Sequence, residues 1–147
     1  MKCQNEMKLS FLSHSVNEGF ARSAVAAFFI QLDPTLDELT DIRTAVSEAV
    51  TNCIVHAYRD TIGPVRITAK ILGDRTAYIK IRDRGCGIPD VKQAMEPLYT
   101  TAPGEERSGL GFSVMQSFMD DLRVTSAPGK GTSVVMKKRL SAREQHG

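Results

Sequence analysis

The stretch Glu48-Ala49-Val50-Thr51-Asn52-Cys53-Ile54-Val55-His56-Ala57 decides how the rest of the chain is read. Glu48, Asn52 and His56 stand four residues apart, so on a helix they share one side. A second set, Leu39, Ile42, Val46, Ala49, Val50 and Cys53, recurs at helical spacing as an apolar stripe that must face a core. The polar side has chemistry to offer. An amide oxygen is a hard, neutral ligand for Mg²⁺, which keeps several waters and takes few protein ligands. A carboxylate one turn away can accept a proton from an attacking hydroxyl. Taken alone, the same spacing also suits an exposed polar helix face, and His56 suits a hydrogen-bonded helix end.

Upstream, Asp33-Pro34 breaks the chain and Thr35 can cap this helix, with Glu38 three residues on completing a capping box. The helix is therefore predicted from about Thr35 to Ala57. Before it, Val16, Phe20, Ala24, Ala27 and Phe28 recur at helical spacing, which predicts a first helix from Ser15 to Leu32. Met7 to Leu12 reads as a short first strand. Downstream, Gly63-Pro64 marks a turn. Val65, Ile67, Ala69 and Ile71 alternate, as do Ala77, Ile79 and Ile81, with a hairpin turn at Gly73-Asp74. A third helix should begin near Gly109 and bury Phe112, Met115, Phe118 and Met119. Strands from Leu122 to Ser126 and Thr132 to Leu140 close the chain around Pro128-Gly129-Lys130-Gly131. These elements predict an α+β fold: a two-layer α/β sandwich, its mixed and mostly antiparallel sheet covered by helices on one face. A length of 147 residues suits one domain, ending in a frayed polar tail from Ser141 to Gly147.

Between the second pair of strands and the third helix, the chain from Asp83 to Gly109 carries glycine, proline and little periodicity. Loops of that length in a compact domain are usually functional. Asp83-Arg84-Gly85-Cys86-Gly87-Ile88 follows directly on an apolar strand. A carboxylate at a strand end can accept from an exocyclic amine such as adenine N6, and Gly85 and Gly87 let a flat base approach the backbone. The segment also suits a plain tight turn. Arg107-Ser108-Gly109-Leu110-Gly111 opens the third helix, where backbone N–H groups and the helix dipole make a phosphate seat. Arg107 can grip a terminal phosphate in bidentate fashion. Those glycines could equally just start a helix. Gly129-Lys130-Gly131-Thr132 turns into a strand whose hydroxyl could help hold a purine, or is simply a hairpin. No Gly-x-Gly-x-x-Gly opens a helix and no Gly-x-x-x-x-Gly-Lys-Ser/Thr occurs, which disfavours the dinucleotide and P-loop classes.

A net charge of +2, with only Lys137-Lys138-Arg139 as a basic run, gives no nucleic-acid footprint. Cys3, Cys53 and Cys86 are odd in number and show no CxxC spacing, so neither a disulfide framework nor a zinc site is expected. The longest apolar run, Ala24 to Ile30, is too short to cross a bilayer. A cytoplasmic protein without membrane contact is the expectation.

In order and context these motifs resemble the ATPase/kinase superfamily of gyrase, Hsp90, histidine kinases and MutL. Glu48, Asn52 and His56 match its N box, Asp83-Gly85-Gly87 its first glycine box, Gly109-Gly111 the second and Gly129-Gly131-Thr132 the last. Phe28 to Pro34, Val46 to Tyr58, Glu96 to Ala102 and Arg107 to Asp121 look very like the bacterial anti-sigma factors with serine kinase activity that control sigma-F in sporulation. That resemblance implies a Bergerat-type fold binding ATP and Mg²⁺. It implies a homodimer that silences a sigma factor and phosphorylates a serine of an anti-anti-sigma factor. It also implies Glu48 as general base, Asn52 as Mg²⁺ ligand, Asp83 as adenine contact and Arg107 as γ-phosphate contact. Around the nucleotide it implies His56, Gly85, Gly87, Thr100, Thr101, Ser108, Gly109, Leu110, Gly111 and Thr132. Arg22, on the first helix, resembles a partner-contacting residue, and also suits a solvated helix arginine. Thr100-Thr101 is followed by Ala102-Pro103 where related loops carry a lysine, which leaves Arg107 the main cation at the phosphates. Two other functions fit the same motifs: a nucleotide-gated binding module that transfers no phosphate, and the catalytic domain of a histidine kinase.

Overall fold

In the computed structural model, residues 2–95 and 111–141 are described. Strand β1 (Cys3–Leu12) leads into helix α1 (Asn17–Phe29), a 3-10 turn (Ile30–Leu32) and helix α2 (Leu36–Asn52). A π-helical turn (Cys53–Ala57) extends α2 toward β2 (Pro64–Leu72) and β3 (Thr76–Asp83). A short α3 (Val91–Ala94), α4 (Phe112–Phe118), β4 (Asp121–Ala127) and β5 (Gly131–Arg139) complete the described elements. The strands form one sheet in the order β1-β2-β3-β5-β4, and each of these pairings is antiparallel.

Period-two alternation decides which face is covered. Val65, Ile67, Ala69 and Ile71 on β2, Ala77, Ile79 and Ile81 on β3, and Val134 and Met136 on β5 are buried. Helices α1, α2 and α4 supply Phe29, Ile42, Val46, Val50 and Met115 to the same core, with α2 packed between α1 and α4. The alternation continues to the last residue of the strand: Asp83 shares the inward parity of Ile79 and Ile81, so a carboxylate lies at the core-facing end of β3.

The expected capping box is present. Thr35 Oγ1 accepts from Glu38 N–H at 3.0 Å, and Glu38 Oε1 accepts from Thr35 N–H at 2.9 Å. Glu38 Oε2 also accepts from Ser141 N–H at 2.8 Å, tying the end of β5 to the start of α2. Burial pushes the Glu38 carboxyl up, but the hydrogen bonds from Thr35 and Ser141 prevail and hold it below its ordinary value. Thr35→Ala should lower unfolding stability by about 1 kcal/mol in urea titration, the usual cost of a lost N-cap.

The structure adds the phase of α1 and corrects the start of β1. The core face of α1 is Ala21, Val25, Ala26 and Phe29, whereas Val16 is 80% and Phe20 54% exposed. Both sides of this helix are apolar, so periodicity alone could not choose the phase; contact with α2 does. Strand β1 begins at Cys3 rather than Met7, because Asn5 and Glu6 pair with Ile71 and Lys70 despite their polarity. Ladder hydrogen bonds to a long neighbour extend the strand past its apolar signal.

Candidate functional site

The C-terminal half of α2, its π-helical turn and the ends of β3 and β5 enclose a cleft of about 490 Å³. Its polar focus is Asp83, only 5% exposed. Oδ1 accepts from Gly85 N–H at 2.9 Å and from Thr132 N–H at 3.2 Å, and the Cys53 thiol donates to Oδ2 at 3.6 Å. Burial pushes the Asp83 carboxyl above its ordinary value, opposed by these three donors. The Cys53 thiol is raised well above its ordinary value, by burial first and then by the charge of Asp83.

The π-helical turn widens the end of α2, closing with Tyr58 N–H on the Cys53 carbonyl at 3.0 Å. Asn52, Cys53, His56 and Ala57 all line the cleft from this segment. Tyr58 then locks the turn to both strands. Its hydroxyl donates to the Pro64 carbonyl at 2.7 Å and accepts from Arg84 N–H at 2.6 Å, one residue beyond Asp83. Across the cleft, Ser126 Oγ accepts from Ile88 N–H at 2.7 Å and lies 2.8 Å from Thr132 Oγ1. Sequence reasoning missed Cys53, Tyr58 and Ser126. Ser126 had a signal, since a hairpin turn at Pro128–Gly131 puts it opposite Thr132.

Of the residues singled out from sequence, Asn52, His56, Asp83, Gly87 and Thr132 meet around this one cleft, joined by Phe112 at the start of α4. Gly85 does not face it. A Cβ there would strike the Ala57 carbonyl, so this glycine permits the close approach of two backbones. Gly131, at φ +82°, is needed twice over: the left-handed backbone favours glycine, and a Cβ would strike the Asp83 carbonyl. Glu48 lies outside the cleft lining, one turn before Asn52, where its carboxylate occupies the space a side chain on Gly111 would need. Glu48 also borders a depression shared with Arg22, Arg43 and Ser47, in which Arg22 pairs with Glu18 at 3.7 Å. Thr100, Thr101, Arg107, Ser108, Gly109 and Leu110 lie outside the described residues.

No group of three histidine, cysteine or carboxylate side chains among the described residues could hold a metal ion. A magnesium ion accompanying a nucleotide does not require one, because phosphates and waters fill most of its shell and one amide oxygen such as that of Asn52 suffices. No helix of the described residues is long and apolar enough to cross a membrane.

Residues 14–138 match the family described as histidine kinase-like ATPase domain. A solved structure of the RsbU and RsbW domains of Rv1364c from Mycobacterium tuberculosis superposes at TM-score 0.69 and 17% identity, covering 93% of this chain and 32% of that one. The catalytic domain of the histidine kinase ThkA superposes at TM-score 0.56 and 16% identity, covering 91% and 96%. These two likenesses speak for the fold. Sequence relatives are much nearer: an anti-sigma F factor of Caldanaerobacter subterraneus subsp. tengcongensis is 59% identical over 140 residues, 95% of this chain and 97% of its own. The anti-sigma F factor of Clostridium novyi is 57% identical over 141 residues, 95% and 98% of the two chains. With identity at this level along nearly the whole of both chains, on a histidine kinase-like ATPase domain, the chain belongs to the anti-sigma F factor family.

Proposed function

We propose that this protein is an ATP-dependent serine kinase of the cytoplasm that binds and inhibits a sigma-F-type factor and phosphorylates a serine of its anti-anti-sigma factor. The observation that carries the nucleotide reading is Asp83: a buried carboxylate lining a mostly apolar cleft, fixed by three donors and lying next to Thr132. Such a group suits one amine of a flat base whose faces meet Ile88, Phe112 and Val134. The relatives' name supports the sigma-factor partner.

In the proposed mechanism Asp83, held by the Gly85 N–H, accepts from the adenine amine, while Gly87 and the Ser126–Thr132 hydroxyl pair shape the adjoining wall. Asn52 would hold Mg²⁺ through its amide oxygen, and the ion would supply positive charge against the phosphates. Glu48 takes the proton of the attacking serine hydroxyl. Gly109, Leu110 and Gly111 offer backbone N–H groups to the phosphates, and Arg107 offsets charge developing on the transferred group. Thr100, Thr101 and Ser108 are assigned to nucleotide binding, and His56 belongs to the wall that α2 and its π-helical turn supply. Arg22 is assigned to partner contact, beside the depression that Glu48 borders. A homodimer is supported by the outer side of α1, where Val16 and Phe20 are exposed, together with Leu12 on the edge strand β1.

The test is transfer of labelled γ-phosphate from Mg-ATP to the anti-anti-sigma protein of the same organism. Acid-stable label on serine is expected. Acid-labile label would instead indicate histidine kinase chemistry, and ATP binding without any transfer would reduce the protein to a nucleotide-gated binder.

A further inference from the structure

Cys53 follows Asn52 directly and is buried against the cleft floor. Its thiol hydrogen goes to Asp83 Oδ2. An ionised carboxylate offers about four acceptor positions, two on each oxygen. On Asp83, Oδ1 spends both on the Gly85 and Thr132 N–H groups, and Oδ2 spends one on the thiol. Within the described residues one acceptor position therefore remains, on a side chain that lines the cleft.

We propose that Cys53 is a positioning residue that sets purine specificity: its thiol keeps Asp83 a pure acceptor with one open position, which fits a 6-amino purine and repels a 6-oxo purine. This inference rests on reading the cleft as a nucleotide site. The chemistry is a matter of which partner brings the hydrogen. A 6-amino group donates N–H to the carboxylate. A 6-oxo group brings lone pairs and is accepted only if the carboxyl is protonated and donates its own O–H.

Whether that proton is present depends on the surroundings of Asp83. The helical wall presents Cys53, His56, Tyr58 and Arg59; the chain after β3 presents Arg84 and Cys86; β5 presents the Thr132 N–H. Burial favours the protonated carboxyl, and the thiol is one of three hydrogen-bond donors that favour the ionised one. Removing that donor lets the carboxyl take a proton more readily and become a donor to the wrong base.

The experiment measures dissociation constants for ATP and GTP at about pH 8 and about pH 5.5, for wild type, Cys53→Ser, Cys53→Ala and Cys53→Val. Serine keeps a donor, alanine removes it, and valine fills the space without one. The ATP-over-GTP preference should survive in Cys53→Ser and fall about tenfold in the alanine and valine variants, the size expected for one hydrogen bond to a charged group. The fall should be larger at the lower pH. A Cys53→Val preference equal to wild type, or losses in ATP and GTP affinity that match in every variant, would reduce Cys53 to packing and overturn the inference. Wild type binding neither nucleotide would overturn the nucleotide reading itself, and this inference with it.

Discussion

Glu48→Gln is expected to lower phosphoryl transfer to the substrate serine by about 10²–10⁴-fold, the range for a lost general base, while ATP affinity stays within a few-fold. Glutamine keeps the size of the side chain and one oxygen acceptor, but it does not take up a proton at neutral pH. The geometry supports a clean separation of the two effects. Glu48 is one helical turn from Asn52, outside the cleft that Asp83 anchors, and its neighbour across the gap is Gly111, where α4 begins. Steady-state transfer measured beside a binding titration tells the roles apart. Transfer within about threefold of wild type would remove Glu48 from proton chemistry altogether, since general-base contributions are far larger than that. Parallel losses in transfer and binding would make it a structural support for the start of α4.

Most of the scaffold was legible because its signals are local. Thr35 and Glu38 announce a capping box three residues apart, and the box is there. Alternation on β2 and β3 announced both strands, and the structure shows that Asp83 continues the inward set of β3. Helix α1 was legible as a helix but not in its phase, since Phe20 and Phe29 offer competing apolar sides and only tertiary contact selects one. The parts of the site that were not legible depend on distant partners. Tyr58 acts through the Arg84 N–H, 26 residues away, and the Cys53 thiol through a carboxylate 30 residues away. Neither distance is a period of any secondary structure. Gly85 shows a related limit: a glycine admits a ligand or another backbone equally well, and the approach of Ala57 is visible only in three dimensions.

Asp83→Asn is expected to weaken ATP binding by about a hundredfold, roughly 3 kcal/mol, while leaving the nucleotide-free protein at least as stable as wild type. The two halves share one cause. The Gly85 and Thr132 N–H groups require an acceptor, so the amide oxygen takes the place of Oδ1 and the NH₂ falls where Oδ2 was. There it meets the adenine amine donor to donor. For stability the sign follows from burial, which raises the Asp83 carboxyl in the folded state. A raised carboxyl favours folding most while protonated, and that contribution is lost as pH rises through the folded value, so at neutral pH the ionised group is a net burden. Asparagine carries no such burden. Urea unfolding should therefore find the variant ahead at neutral pH, with its lead shrinking as the solution is acidified toward the ordinary carboxylate range near about pH 4. Unchanged ATP affinity would mean that Asp83 does not meet the base. Lost affinity together with lost stability would mean that the three donors to Asp83 hold the cleft walls together, and that the carboxylate serves the fold before it serves a ligand.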